Sequence, residues 1–147
     1  MMLQTPLFSE HVALQAKMVP FAGWEMPVQY EGILTEYDYA RRDVAVFDTS
    51  HMGEFIVEGD LLASGLDRLV TQRLSDLAIG TCRYGFLLNE KGGVLDDLIV
   101  FHADKDRWFI VVNAGTMEND ARHFEQNIIP PARFMNISRQ TAKLDVQ

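Results

Sequence analysis

Apolar and polar positions along this chain repeat with two periods, one typical of strands and one typical of helices. The run from Glu54 to Glu58 predicts a strand, whereas Leu62, Leu66 and Leu69 recur at helical spacing. The predicted strands cover residues 44–48, 54–58, 107–113, 132–138 and 143–147, with an irregular or strand-like passage around 20–30. The predicted helices cover residues 5–14, 33–42, 61–70 and 116–127. This mixture predicts an α+β fold rather than a regular alternation of strand and helix.

The clearest local pattern is a predicted hairpin from about residue 83 to residue 102. The turn signal Asn89-Glu90-Lys91-Gly92-Gly93 separates two apolar runs, and the second run contains adjacent carboxylates at Asp96 and Asp97. Side chains alternate faces along a strand, so these two residues should point in opposite directions. One of them is buried if one face of the sheet is buried, although the hairpin alone favours two carboxylates that face solvent.

Composition limits the classes of function. The chain has 147 residues and a formal net charge of −8, with 48% hydrophobic and 23% charged residues. This describes one globular domain with a hydrophobic core and no basic patch, which argues against non-specific nucleic-acid binding. No apolar run is long enough to span a bilayer. The single Cys82 cannot form an internal disulfide, and we expect it to be at least half-buried. We predict a cytoplasmic protein with neither nucleic-acid nor membrane partners.

Two other clusters carry weak chemical signals. Asp48, Ser50 and His51 lie close in sequence, but the members of a catalytic triad meet in space rather than in sequence. The four histidines show no metal-ligand spacing, so we predict no metal site.

Taken together and in order, several segments closely resemble one family, the aminomethyltransferase (T-protein) of the glycine cleavage system. The matching segments are residues 11–14, 17–30, 46–48, 50–54, 89–90, 92–100 and 111–114. The resemblance implies the N-terminal part of a folate-binding fold, with a largely antiparallel sheet and flanking helices. It also implies transfer of a one-carbon unit to tetrahydrofolate with release of ammonia, from an aminomethyl group on the lipoyl arm of H-protein.

The resemblance assigns roles to individual residues. Asp97 matches the second Asp of the family's Gly-Gly-x-x-Asp-Asp motif, which faces the pterin, and is the candidate catalytic residue. Met52, Tyr84, Val111 and Asn113 match positions that line the folate cavity, together with Asp97. A fixed carboxylate can accept hydrogen bonds from pterin nitrogens and stabilise developing positive charge. Asp96 should point to the other side of the sheet and serve the structure.

The chain departs from the family pattern at two places. Thr71-Gln72-Arg73 stands where the family usually has Thr-Asn-Asp, and Phe101 stands where a Tyr is common. A complete T-protein is also more than twice as long. We therefore interpret residues 1–147 as the truncated N-terminal part of the folate-binding domain and expect little or no activity from this chain alone.

Two alternatives use the same fold. One is a folate-dependent demethylase that acts on another donor. The other is a non-enzymatic folate-binding protein of iron–sulfur cluster assembly, a group that usually lacks the Asp-Asp hairpin. The pair Asp96-Asp97 and the block from Ser50 to Glu54 favour the aminomethyltransferase.

Overall fold

The structure is a computed structural model, and it describes residues 2–147. Its four helices in this range are α1 (Phe8–Ala13), α2 (Ile33–Arg42), α3 (Leu66–Leu69) and α4 (Met117–Asn127). Its strands are β1 (Leu3–Gln4), β2 (Lys17–Phe21), β3 (Trp24–Gln29), β4 (Val46–Asp48), β5 (Gly53–Glu58), β6 (Cys82–Leu88), β7 (Val94–Asp104), β8 (Arg107–Val112), β9 (Arg133–Asn136) and β10 (Leu144–Val146). The α+β prediction is confirmed, and nearly every strand pair is antiparallel.

The chain divides into two compact units. One contains the chain up to His51 together with residues 141–147. In this unit β3 lies between β1 and β2, while β4 pairs with β10 in a separate two-stranded sheet. The assignment of residues 1–147 to one domain stays a prediction.

The second unit, Met52–Gln140, is built on a five-stranded antiparallel sheet in the order β6-β7-β8-β5-β9. One face of this sheet packs against α3, α4 and the segment between α3 and β6. The sheet residues of this core are Phe55, Val57, Leu87, Leu98, Val100, Trp108, Ile110 and Val112. Leu66, Ala121 and Phe124 cover them from the two helices. The apolar runs of the sequence thus form a core because alternate strand residues face the same helices.

Some local predictions need correction. The helix predicted over residues 61–70 shortens to α3, because Gly65 takes a left-handed conformation (φ 76°) that interrupts a longer helix. The side chain of Asp60 instead accepts hydrogen bonds from the backbone of Leu62 and Ala63. Cys82, expected to be at least half-buried, is exposed. Among residues 2–147, no helix is long and apolar enough to cross a membrane.

Candidate active site

The two adjacent carboxylates of β7 lie on opposite faces of the five-stranded sheet. Asp96 is paired with Leu87 of β6 and shares the helix-covered face, where only 7% of its surface is exposed. Asp97 is paired with Phe86 and is half-buried on the other face, which we call the open face. The prediction of opposite faces is confirmed, whereas the expectation from the hairpin alone that both face solvent is wrong. Strand alternation separates the two side chains although they are neighbours in sequence.

Asn113 connects both carboxylates. It follows β8, where the register of the sheet brings it beside Asp97. Its backbone N–H donates to Asp96 Oδ2 at 2.9 Å, and its Nδ2 donates to Asp96 Oδ1 at 2.9 Å. The same Nδ2 donates to Asp97 Oδ1 at 2.9 Å and to the Asp97 carbonyl at 3.2 Å. The buried Asp96 carboxylate therefore anchors the Asn113 side-chain amide, and this amide in turn fixes the orientation of Asp97.

Two other residues predicted for the site, Tyr84 and Val111, lie on the open face, on the same side of the sheet as Asp97. Tyr84, Ile99 and Val111 form one row across three adjacent strands. Tyr84 is 56% exposed, whereas Val111 is buried. Met52 comes one residue before β5, and it is half-buried. Partial desolvation raises the pKa of the Tyr84 hydroxyl, helped by the charge of Asp97 and a hydrogen bond to it.

The buried side of this cluster contains a second carboxyl group, Asp120 of α4. Burial raises its pKa to about 7, and the hydrogen bond to Asp96 and the charge of Asp96 act in the same direction. Burial would also raise the pKa of Asp96. Hydrogen bonds from the Asn113 side chain and backbone, from Thr116 and from Asp120 outweigh it and hold that pKa below its usual range. The two neighbouring carboxyl groups are therefore shifted in opposite directions, the pKa of Asp120 upward and that of Asp96 downward.

The chain segments that carry these site residues also match a known protein family. The family model for the GCVT N-terminal domain matches residues 7–147. The chain belongs to this family. Its match includes the hairpin, Asn113 and Asp120.

Individual relatives agree with this assignment. An aminomethyltransferase from Thermotoga petrophila is 42% identical over 153 residues, covering 99% of this chain and 40% of the relative. One from Desulforamulus reducens is 39% identical over 144 residues, covering 98% of this chain and 40% of the relative. The crystal structure of the glycine cleavage system aminomethyltransferase T from Bartonella henselae superposes with a TM-score of 0.92 at 33% identity. That match covers the whole of this chain and 41% of the Bartonella chain, so the chain spans about two-fifths of these relatives.

The GCVT domain thus brings the five sequence-predicted residues together on or beside the open face. Asp97 and Asn113 are in direct contact, and Asp97 lies near enough to Tyr84 to raise the pKa of its hydroxyl. Val111 lies in the row beside them, and Met52 precedes the neighbouring strand. Their roles in folate binding and catalysis stay predictions, since the geometry shows position and not occupancy.

Sequence reasoning missed Asp120. The sequence does contain a signal, because Asp120 stands four residues before Phe124 and thus on the same stripe of α4 as this core aromatic residue. A carboxylate on a core-facing stripe needs a partner, and only the tertiary structure shows that this partner is Asp96.

The Asp48, Ser50 and His51 block forms no catalytic triad in the GCVT domain. Asp48 Oδ2 lies 2.8 Å from His11 Nε2, and Asp48 Oδ1 accepts the Ser50 backbone N–H at 3.0 Å. The Ser50 hydroxyl donates to the Lys143 carbonyl at 3.3 Å. Asp48 and Ser50 therefore stabilise the local structure of the unit that contains the chain up to His51 and residues 141–147. Among the described residues, no cluster of His, Cys, Asp and Glu could hold a metal ion.

Proposed function

We propose that this chain carries one wall of the folate site of a glycine cleavage aminomethyltransferase. The reaction transfers a one-carbon unit from the aminomethyl group on the lipoyl arm of H-protein to tetrahydrofolate and releases ammonia. The partners are lipoylated H-protein and tetrahydrofolate, and the location is the cytoplasm. Membership of the GCVT N-terminal domain family and the names of the aminomethyltransferase relatives support the proposal.

The observation that carries the proposal is the placement of Asp97. This carboxylate is half-buried on the open face, and Asn113 holds one of its oxygens at 2.9 Å. Tyr84 and Phe86 contact each other edge to face, with ring centroids 5.5 Å apart, on the strand that pairs with Asp97. A fixed acceptor beside exposed aromatic rings suits a flat, nitrogen-rich ring such as a pterin.

The chemistry follows from a carboxylate whose orientation is set before the substrate arrives. Asp97 accepts an N–H of the pterin and orients the nitrogen that receives the one-carbon unit. Positive charge that develops during transfer lies next to a fixed negative charge, which stabilises it. Val111 and Met52 supply apolar contact to the ring, and the Asn113 amide keeps Asp97 in place. Asp96 does not face the substrate and acts only through Asn113.

A chimera tests this proposal in an active context. Residues 7–147 of this chain replace the matching part of the Thermotoga petrophila aminomethyltransferase, and methylenetetrahydrofolate formation is followed with aminomethylated H-protein. Asp97→Asn keeps the size and removes the charge. We expect turnover to fall about 10²–10³-fold with little change in tetrahydrofolate affinity.

The matched control is Asp96→Asn, one residue away on the opposite face. It should lower the thermal midpoint of the chimera, and its turnover should fall less than the turnover of Asp97→Asn. A chimera in which Asp96→Asn abolishes turnover and Asp97→Asn does not would overturn the assignment of faces. Turnover by this chain alone stays a separate prediction, and we expect little or none.

A further inference from the structure

Asp120 is a buried acid without an obvious structural reason. Its surface is 1% exposed, and it lies in the first turns of α4. The next residue, Ala121, and the residue one turn later, Phe124, both belong to the hydrophobic core. An ionised carboxylate in such a place is costly unless donors surround it.

The donors do not suffice for two charges. Within residues 2–147, no N–H or O–H group reaches Asp120 Oδ2, which is fully buried. The charged group that acts on Asp120 is Asp96 of β7, which raises the pKa of Asp120, and the neutral Thr116 hydroxyl lowers that pKa without outweighing it. Arg122 of the same helix is exposed and donates to Asn119 and the Glu118 carbonyl instead. Two acceptors in contact can form a hydrogen bond only if they share a proton.

The division of roles follows from the remaining contacts. Asp96 receives the backbone N–H and the Nδ2 of Asn113, both at 2.9 Å, so its negative charge is already stabilised. Asp120 therefore keeps the proton and donates it to Asp96. Ionisation of Asp120 would place two like charges in contact and push Asp96 away from its partner. Asn113 would then lose the anchor that orients Asp97.

We propose that Asp120 is a positioning residue, which shares a proton with Asp96 and through Asn113 fixes the orientation of Asp97. The sequence of contacts runs from α4 through the sheet to the open face. The expected effect of this proton on tetrahydrofolate binding rests on the proposed function, whereas the proton shared by Asp96 and Asp120 does not.

Carbon-13 NMR of the aspartate carboxyl groups tests the proton in the chain itself. We expect one carboxyl signal that titrates near neutral pH and disappears in Asp120→Asn. The backbone amide proton of Asn113 should shift with the same midpoint, because it reports the bond to Asp96. In Asp120→Asn the new amide donates permanently to Asp96, so the Asn113 signal should stay at its low-pH position. Glu118→Gln removes one negative charge, as Asp120→Asn does, but at an exposed position of the same helix. It should leave both titrations unchanged.

Tetrahydrofolate titrations of the chimera with the Thermotoga petrophila aminomethyltransferase, with and without Asp120→Asn, test the connection to the open face. In wild type, affinity should weaken about tenfold as the pH rises through neutrality, the loss expected for one hydrogen bond. In Asp120→Asn this decrease should be absent. Two outcomes in wild type overturn the proposal, even if the variant does not fold. One is an Asp120 carboxyl that titrates in the ordinary Asp range, and the other is an Asn113 signal that does not depend on pH. If the shared proton is found but tetrahydrofolate does not bind the chimera, the proposed function fails and the pair stands.

Discussion

Replacing Asp120 by Asn should change how the stability of this chain depends on pH. The Asp120 pKa rises from 3.8 to about 7 in the folded chain. Between these values the folded state holds a proton that the unfolded state has released. The stabilisation is fully present below about pH 4 and is lost as the pH rises through about 7. A difference of about three pKa units corresponds to about 4 kcal/mol of unfolding free energy.

The variant removes this ionisable group from both states. The unfolding free energy of wild type, minus that of Asp120→Asn, should therefore fall by about 1.4 kcal/mol per pH unit between about pH 4 and 7 and then level off. Asp96 does not obscure this window. Its pKa is lowered in the folded chain, so its own stabilisation is present above about pH 4 and is lost only at lower pH.

Urea unfolding followed by tryptophan fluorescence measures the difference. Trp108 is 3% exposed and lies in the same core as α4, whereas Trp24 belongs to the other unit. A Trp24→Phe background therefore makes the signal specific for the unit that contains Asp120. Glu118→Gln serves as the control and should give a difference that does not vary over this range. A flat difference between wild type and Asp120→Asn from about pH 5 to 7 would refute the shared proton.

Two further predictions concern packing and a buried hydrogen bond. Gly85→Ala should cost about 1–3 kcal/mol, because its Cβ would lie 1.9 Å from Gln72 Oε1. Gly115→Ala, where a Cβ meets nothing within 4 Å, is the control, and equal thermal midpoints for the two variants would contradict the argument. His11→Asn should cost about 1–3 kcal/mol by removing the hydrogen bond between His11 Nε2 and the buried Asp48 carboxylate. Hydrogen exchange of α1 checks this, and protection equal to wild type would count against it.

The local elements were accessible from sequence where one period dominated. Helix α2 begins and ends at the predicted residues, and the hairpin of β6 and β7 surrounds the predicted turn. Helix α3 was predicted too long because the leucine spacing continues through Gly65, whose backbone conformation breaks the helix. The apolar residues of α2 show a different limit, since Leu34 is 81% exposed although the helix is predicted correctly. Periodicity predicts the element and cannot say what covers it.

The candidate site divides in the same way. Alternation along one strand required Asp96 and Asp97 to point apart, and resemblance to the T-protein selected Asp97 together with Asn113. Neither argument could show that Asn113 holds both carboxylates, since that contact depends on the register between β7 and β8. Asp120 was missed for the same reason, because its partner is more than twenty residues away in sequence.

The sequence by itself determined the α+β class, most of the elements, the family and the residue types of the site. It did so because periodicity, turn residues and motifs are local properties of the chain. Only the tertiary structure decided which carboxylate is buried, which amide connects the two, and where a shared proton lies. Burial, hydrogen bonding and pKa depend on residues that the fold brings together from distant parts of the chain, so no local pattern contains them.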